Sequence, residues 1–316
     1  MSNAPFISIC IPAYKNKAYV KRLLDSIAIQ IYRDFEVVIT DDSPDDSLEE
    51  LIKQYEAKFP IRYYKNEAAA GSPANWNKAI AHAKGEWIKI MHDDDWFTDV
   101  KSLKEFYYAT EEAHCQFIFS GFVNVDLEKQ TKKTFVISAL QEEMLRKNPL
   151  YLFRTNYIGH PSTTLIKNNL TEWFDEKIKW VVDFEFYIRR LKEEKGFLAI
   201  QKPLVNIGIG AEQITKSVFR NREVEIPENL YLLQKLGNSS LNYLFVYDYY
   251  WRLMRNLKIS STDELKTYVH EFQVPPVIES MIRFQQKAGQ GLLKKFGVYS
   301  KICMTIHYLL NWMKKE

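Results

Sequence analysis

The chain has 316 residues, of which 46% are hydrophobic and 26% charged, and this composition excludes a collagen-like, low-complexity or wholly disordered protein. A net charge of +3 is too small to indicate a nucleic-acid partner. Three widely spaced cysteines exclude a disulfide framework, and the lack of a signal peptide or of about 20 consecutive apolar residues predicts a cytoplasmic protein.

The first hundred residues alternate between short apolar runs and amphipathic segments, a pattern typical of a parallel sheet covered by helices. The apolar runs predict strands at 6–11, 35–39, 61–64 and 86–91. The segments between them predict helices over 20–31, 47–59 and 73–84. Ser47 is expected to cap the second helix, with Glu50 as its capping-box partner. The expected fold class is α/β, with a mostly parallel, nucleotide-binding sheet flanked by helices.

Unusual polar residues follow the predicted strands at the point where each strand ends. Tyr14 follows the first strand, Asp41 and Asp42 follow the second, and the aspartate triplet 93–95 follows the fourth. Ligands of such sheets bind beyond the carboxyl ends of the strands. No GxGxxG or GxxxxGK motif follows the first strand, which disfavours a dinucleotide fold and a P-loop.

Beyond residue 100 the pattern is less regular. It predicts strands at 115–122, 133–137 and 162–166 and a helix over 141–153. A later helix carries Asp183 and Glu185 near its start, and its predicted buried stripe is Trp180, Phe184, Tyr187, Ile188 and Leu191. After about residue 215 only helical patterns follow, with a break at Pro275 and Pro276.

The aspartate triplet is the strongest local signal. Like charges a few ångströms apart repel, so the triplet is costly unless a positive charge neutralises it. A divalent cation would do so, and carboxylate oxygens suit Mn²⁺ or Mg²⁺. The alternative is an acidic turn that caps the helix beginning near Asp99. His92 adjoins the triplet and is a candidate neighbour of a metal or a phosphate, whereas His160 belongs either to the site or to the surface.

Four segments together resemble glycosyltransferase family 2: FISICIPAY at 6–14, FEVVITDDS at 35–43, GSPANWN at 71–77 and GEWIKIMHDDDWF at 85–97. The resemblance is strong over about the first 100 residues and weaker to about residue 210. It implies a metal-dependent, inverting sugar transferase of the glycosyltransferase-A fold. The catalytic domain would occupy residues 1–215, and residues 216–316 would form a helical C-terminal extension.

The resemblance also implies a role for particular residues. The nucleotide sugar would be contacted by Pro12, Tyr14, Asp41, Asp42, Asn77, Asp93 and Asp94. Within that set, Tyr14 would stack on the base and Asp41 or Asp42 would accept a hydrogen bond from it. Asp94 and Asp95 would hold Mn²⁺ or Mg²⁺, and Asp183 would be the catalytic base. His92, His160 and Glu185 are candidate neighbours of the acceptor or the metal.

The chain departs from the family pattern at four positions. Lys15 follows the first-strand tyrosine where asparagine is commonest, and Trp76 stands where an arginine often precedes the asparagine of the third block. His92 replaces the usual first aspartate of the metal motif, which makes Asp94 and Asp95 the preferred ligands. Val182 replaces the glutamate that usually precedes the catalytic aspartate.

Three functions remain open at this point. The first is transfer of a sugar from a nucleotide sugar, UDP-linked, to a glycan or lipid-linked acceptor in surface polysaccharide synthesis. The second is a non-catalytic sugar-nucleotide-binding or assembly subunit with the same fold, and the third is a nucleotidyltransferase.

Asp183 and Glu185 lie about 200° apart around their helix, so both cannot face one site. Periodicity does not choose between them, and the family resemblance favours Asp183.

The C-terminal region combines apolar positions with lysines. The apolar positions are Leu292, Leu293, Phe296, Ile302, Ile306, Leu309, Leu310 and Met313, and the lysines are Lys294, Lys295, Lys301, Lys314 and Lys315. This composition suits a helix that lies on a membrane surface, which would make the protein peripheral at the inner face of the membrane. The alternatives are a helix that binds a partner and a helix packed on the catalytic domain with solvated lysines.

Overall fold

The structure is a computed structural model that describes residues 4–194, 196–210, 219–269 and 273–312. The chain divides into two compact units. The first comprises Met1–Pro149, Tyr157–Ile178 and Val182–Gln213, and the second comprises Leu150–Asn156, Lys179–Val181 and Ile214–Glu316.

The first unit is built on a nine-stranded sheet. Its strands are β1 (Ile7–Ala13), β2 (Phe35–Asp41), β3 (Ile61–Lys65), β4 (Trp87–Ile90), β5 (Trp96–Phe97), β6 (Phe117–Asp126), β7 (Thr131–Phe135), β8 (Thr164–Lys167) and β9 (Leu198–Ile209). The spatial order is β3-β2-β1-β4-β8-β6-β9-β5, with β7 on β6. Strands β1 to β4 pair in parallel, whereas β8 runs antiparallel to both β4 and β6. Strand β6 pairs in parallel with β9, whereas β7 pairs antiparallel with β6 and β5 pairs antiparallel with β9. The sheet is therefore mixed, and not mostly parallel as the sequence predicted.

Helices flank this sheet. They are α1 (Lys17–Ala28), α2 (Ser47–Lys53), α3 (Ala74–Ala81), α4 (Ser102–Glu112), α5 (Ala139–Lys147) and α6 (Val182–Glu193). A short 3₁₀ turn lies at Pro161–Thr163, and another at Pro149–Phe153 consists almost wholly of second-unit residues. The α/β prediction is confirmed, because the apolar runs of β1 and β2 are buried along their whole length and α1 buries one face against them.

Several local predictions differ from the structure. Ser47 is the first residue of α2 rather than its cap, and Asp46 precedes it without a side-chain cap bond. The predicted helix over 141–153 is α5 followed by a separate 3₁₀ turn, and the strand predicted from residue 162 begins at residue 164. Helix α6 begins at Val182, so Trp180 lies ahead of it, and Phe186 is in the core where Phe184 was expected.

In the described part of the second unit, residues from 219 onward form helices and no strand. These are α7 (Arg222–Leu236), α8 (Leu244–Asn256), α9 (Thr262–Thr267), α10 (Pro276–Lys287), α11 (Gln290–Lys295) and α12 (Gly297–Trp312), with a 3₁₀ turn at Asn238–Asn242. Their core is aromatic and includes the buried Tyr247, Tyr250 and Trp251 of α8. Among the described residues, none of the helices has both the length and the apolar character needed to cross a bilayer.

One carboxylate joins separated pieces of the second unit. Glu228 of α7 is buried and accepts hydrogen bonds from the backbone N–H groups of Lys179 (2.9 Å), Trp180 (2.6 Å) and Val181 (3.3 Å). Burial raises the pKa of Glu228, and the three N–H donors oppose that shift. A segment that precedes α6 is thereby fixed to a helix that follows it in the sequence.

Candidate active site

The turn that follows β4 gathers three side chains. Met91 donates its N–H to the carbonyl oxygen of Cys10 in β1 at 2.9 Å, which prolongs the pairing of β4 up to the turn. The N–H of Asp95 then donates to the carbonyl oxygen of His92 at 3.0 Å and closes the turn. One ligand atom each from His92, Asp94 and Asp95 lies within 4.8 Å of the others. The structure therefore brings together the two predicted metal ligands and the histidine beside them.

The surroundings of His92 fit a metal ligand. Its backbone N–H donates to Ser162 Oγ at 2.9 Å, and its ring lies 4.5 Å from the ring of Trp76 between centroids. Burial, with a smaller contribution from Lys89, lowers the pKa of His92 to about 4, so the ring is neutral near pH 7. Within the described part of the chain, its buried Nε2 has no hydrogen-bond partner. A bound cation would supply that partner, so the residues present fit a metal ion.

Asp95 and Asp93 have different surroundings. Asp95 is 2% exposed, and it accepts hydrogen bonds from the Gly208 N–H (3.2 Å) and from the Ser162 side chain. Burial and the neighbouring Asp94 raise the pKa of Asp95 well above its usual range. Asp93 instead accepts the backbone N–H of Tyr14 at 3.0 Å, and burial raises the pKa of Asp93 to about 7. Asp93 therefore ties the turn to the end of β1 and is not one of the three grouped side chains.

Sequence analysis missed two cations that lie beneath this turn. Lys89 is fully buried in β4, where its ammonium donates to the carbonyl oxygens of Ser162 and Ile90, and burial lowers its pKa to about 7. Arg22 of α1 donates to the Asp94 carbonyl oxygen at 2.8 Å and covers the Trp96 ring at 3.9 Å. Lys89 could have been identified from the sequence, because a lysine inside the apolar run 87–90 is unusual.

Two further residues reach the turn from distant parts of the chain. Ser162 contacts His92, Asp95 and Lys89, as described above. Gly208 of β9 passes so close to the turn that a Cβ atom there would lie 2.3 Å from the Asp94 carbonyl oxygen. No local pattern could have identified either residue, because both act through long-range pairing.

Four of the seven predicted nucleotide-binding residues lie at the ends of β1 and β2. Pro12 is buried in β1 beside Thr40 of β2, and the side chain of Tyr14 is 51% exposed just beyond the strand. Asp42 donates its N–H to the Ala13 carbonyl oxygen at 3.0 Å, which joins the two strand ends. The Tyr14 ring is exposed beside this junction, with the Lys15 ammonium 4.7 Å from the ring centroid.

The carboxylates of Asp41 and Asp42 both have protein partners. Asp41 is fully buried and accepts from the Ser43 N–H (2.7 Å), the Tyr63 hydroxyl (2.7 Å) and Lys65 (3.2 Å). Asp42 accepts from the side chain of Asn66 (2.6 Å) and from the N–H groups of Ala70 (3.0 Å) and Gly71 (2.8 Å). These contacts order the loop between β3 and α3 around the strand ends.

Asn77 of α3 is also occupied by the protein. Its amide donates to the Phe174 carbonyl oxygen and to a Glu176 carboxylate oxygen, both at 2.9 Å, and its own oxygen accepts from the Phe174 N–H at 3.1 Å. The structure thus shows Asn77 linking α3 to the segment ahead of α6. Its predicted contact with a nucleotide sugar stays a prediction.

The two acidic candidates of α6 have different surroundings. Glu185 is 3% exposed and pairs with Arg189, whose guanidinium also donates to the carbonyl oxygens of Glu172 and Trp173. Asp183 is only partly buried, in the first turn of the helix, and it influences the Tyr187 hydroxyl electrostatically.

Tyr187 and His160 connect this face of α6 to the turn after β4. The Tyr187 hydroxyl donates to the Gly159 carbonyl oxygen at 3.3 Å. The next residue, His160, has an exposed side chain that packs edge-on against Phe122, and it lies two residues before Ser162, whose hydroxyl oxygen accepts the His92 N–H. The structure therefore brings His160 into the neighbourhood of the grouped ligands, and Asp183 lies one helical turn from Tyr187.

Comparison with known proteins identifies the family. Residues 8–170 match Glycosyl transferase family 2, and the chain belongs to that family. It is 29% identical over 210 residues to an uncharacterized glycosyltransferase of Methanocaldococcus jannaschii, covering 65% of this chain and 71% of the relative. It is 26% identical over 185 residues to the poly(ribitol-phosphate) beta-N-acetylglucosaminyltransferase TarS of Staphylococcus aureus, covering 58% of this chain and 32% of TarS. The chain thus spans about a third of TarS.

Solved structures agree on the fold. The S. aureus TarS 1-349 structure in complex with UDP-GlcNAc matches with a TM-score of 0.62 and 18% identity, over 96% of this chain and 89% of that one. A mannosyltransferase of Pyrobaculum calidifontis in complex with GDP-Man and Mn2+ matches with a TM-score of 0.52 and 14% identity, over 99% of this chain and 87% of that one. The predicted glycosyltransferase-A fold and glycosyltransferase family are confirmed.

Proposed function

We propose that this chain is a metal-dependent, inverting glycosyltransferase that moves a sugar from a UDP-linked donor to a glycan or lipid-linked acceptor in surface polysaccharide synthesis. The observation that carries the proposal is the group of His92, Asp94 and Asp95 at the carboxyl end of β4, with a buried His92 Nε2 that lacks a partner in the described chain. Relatives named for poly(ribitol-phosphate) glycosylation and for teichuronic acid biosynthesis support the acceptor class. The UDP-GlcNAc complex of a structural neighbour supports the donor class.

Mn²⁺ or Mg²⁺ would be held by Asp94 and Asp95 with His92 beside them. When bound, the ion stabilises the negative charge that develops on the leaving nucleoside diphosphate. An imidazole ligand with two carboxylates favours Mn²⁺ over the harder Mg²⁺. Tyr14 is exposed where its ring could stack on the base, and Asp41 and Asp42 hold the strand ends that would frame the base.

Asp183 is the proposed base. The acceptor hydroxyl must lose its proton as its oxygen attacks the anomeric carbon, and a carboxylate on the face opposite the leaving group can accept that proton. Partial exposure leaves Asp183 accessible to an acceptor, whereas Glu185 is buried in an ion pair with Arg189. One base without a protein nucleophile gives a single displacement, which inverts the anomeric configuration.

A thermal-shift screen tests the donor and the ion together. Because a ligand that binds only the native state raises its apparent stability, UDP or a UDP-sugar should raise the melting temperature with Mn²⁺ and far less with a chelator. Mass analysis of products distinguishes sugar transfer from nucleotidyl transfer, and measurable turnover excludes a non-catalytic subunit. Absence of both metal-dependent binding and slow hydrolysis for every common nucleotide sugar would overturn the proposal.

The proposal also includes peripheral association of the protein with the inner face of a membrane.

A further inference from the structure

The outward face of α12 is apolar, which is unusual for a surface helix. Six of its side chains are between 37% and 76% exposed: Val298, Tyr299, Ile302, Ile306, Leu309 and Leu310. At 100° per residue they fall within an arc of about 120° around the helix. We call these six side chains the α12 apolar face. Leu292 and Phe296, from the residues just before the helix, are about half exposed as well.

Polar contacts fix the helix in this orientation. Ser300 and His307 lie on the buried side, where Ser300 Oγ accepts from Trp251 Nε1 at 3.1 Å. His307 contacts the Tyr247 hydroxyl (2.6 Å) through Nδ1 and Ser280 Oγ (2.9 Å) through Nε2. Rotating α12 to bury its apolar face would break these buried hydrogen bonds and leave polar groups without partners. The exposure of the apolar face is therefore a property of the folded unit.

The charge of the C-terminal segment is mostly positive. Residues 279–316 contain seven Lys or Arg and two Glu, which stand at the two ends of the segment. Lys294, Lys295 and Lys301 are exposed beside the apolar positions, and Lys301 lies next to Ile302 in α12. An exposed apolar stripe with lysines at its edges is the arrangement by which amphipathic helices bind the interface of anionic bilayers.

We propose that the α12 apolar face docks the protein on an anionic membrane surface, with the apolar side chains in the headgroup region and the lysines on lipid phosphates. A second copy of the chain is disfavoured as the occupant, because two identical faces would bring like-charged lysines together. No described helix can span a bilayer, so the helix would lie in the plane of the interface. This inference rests on the membrane association included in the proposed function and names the surface responsible, and donor binding can be tested separately from it.

The test is flotation of the full-length protein with vesicles of phosphatidylcholine and phosphatidylglycerol at low salt. We expect binding that weakens with added salt and is absent with phosphatidylcholine alone. Ile302→Asp should lower the bound fraction roughly tenfold or more, because it puts a charge where an apolar side chain would be buried. Lys294→Glu combined with Lys295→Glu should weaken binding and flatten its salt dependence.

Leu140→Asp is the matched control. Leu140 is 68% exposed on α5 of the first unit, so the same kind of change there should leave vesicle binding unaltered. Circular dichroism checks that Ile302→Asp is folded, and donor hydrolysis without vesicles reports the active site separately. Absence of flotation with anionic vesicles would overturn the inference. So would a dimer in sedimentation analysis that Ile302→Asp dissolves, because the face would then belong to a second copy.

Discussion

Glu185 and Arg189 form a buried two-point ion pair one turn apart on α6, with Arg189 Nε 2.9 Å from Glu185 Oε1 and Arg189 Nη2 3.2 Å from Oε2. This pairing gives Glu185 a structural role and supports the proposal that Asp183, the other acidic residue of the first turn, is the catalytic base. Sequence periodicity could not separate the two residues, because both lie beside the predicted buried stripe of the helix.

Replacing each carboxylate by its amide tests this assignment. Asp183→Asn should keep nucleotide binding but lower sugar transfer by a factor on the order of 10² or more, because it removes the proposed proton acceptor. Glu185→Gln should remain active and lose roughly 3 kcal/mol of unfolding free energy, because it leaves Arg189 partly buried without its anion. Transfer rates and urea unfolding measure the two effects. The opposite pattern of activity would move the base to Glu185.

The metal assignment predicts different effects for neighbouring aspartates. Asp95→Asn should abolish the Mn²⁺ dependence of nucleotide binding while the protein stays folded, because the amide keeps the size of the side chain and removes the charge. Asp93→Asn should bind nucleotide with its Mn²⁺ dependence nearly intact, since Asp93 is bonded to the Tyr14 backbone. Calorimetric titration of UDP with and without Mn²⁺ distinguishes them. Unchanged metal dependence in Asp95→Asn would refute the assignment.

A side chain at position 208 should disturb the proposed metal site by steric conflict. A methyl group at this position would lie 2.3 Å from the Asp94 carbonyl oxygen and 3.3 Å from Arg22 Nη2, so Gly208→Ala must displace the turn. We expect at least a tenfold loss of Mn²⁺-dependent nucleotide affinity, comparable to the loss of a residue that orients metal ligands. Gly291→Ala is the control, because a Cβ there meets no atom within 4 Å. That variant should bind UDP normally and be as stable as the native protein, or more so.

Lys89 predicts a pH dependence of stability. Its pKa is about 7 in the folded chain against 10.5 for an ordinary lysine, so between these values the unfolded chain binds more protons. The contribution of Lys89 to stability therefore rises as the pH increases above 7. Relative to Lys89→Met, the native chain should gain roughly 2 kcal/mol of unfolding free energy from pH 7 to pH 9. Loss of the cation also disfavours ionised Asp95, which shifts the difference in the same direction.

Urea unfolding of chelator-treated protein at several pH values measures this gain. Lys101→Met, at an exposed lysine, serves as the comparison and should show no such change. A difference between native protein and Lys89→Met that stays constant over this pH range would show that Lys89 is charged in the folded chain across it.

The sequence predicted those parts of the fold that local pattern encodes. The buried apolar runs of β1, β2 and β4 are continuous, and the acidic and aromatic residues at their ends are readable. Strand β9 was missed because Gln201, Lys202 and Pro203 interrupt its apolar pattern where its pairing with β6 is irregular. Strand β5 has two residues, too few to produce any periodicity.

Some residues of the candidate site could be predicted from the sequence, and others could not. His92, Asp94 and Asp95 are neighbours in sequence, so their grouping could be expected from spacing alone. Ser162 and Gly208 approach the turn only because β8 pairs with β4 and β9 pairs with β5, and pairing between distant strands has no local signature. The sequence left open whether the apolar positions of α12 are exposed or buried, because the outcome depends on polar partners supplied by α8 and α10.

The three hydrogen bonds accepted by Glu228 bear on how this protein can be dissected. A recombinant fragment ending at residue 215 would keep Lys179, Trp180 and Val181 but would lack the carboxylate that accepts their N–H groups. The three backbone N–H groups, directly ahead of α6, would then donate to water or to other acceptors. We therefore expect the segment directly ahead of α6 to be less ordered in the isolated N-terminal region than in the whole chain.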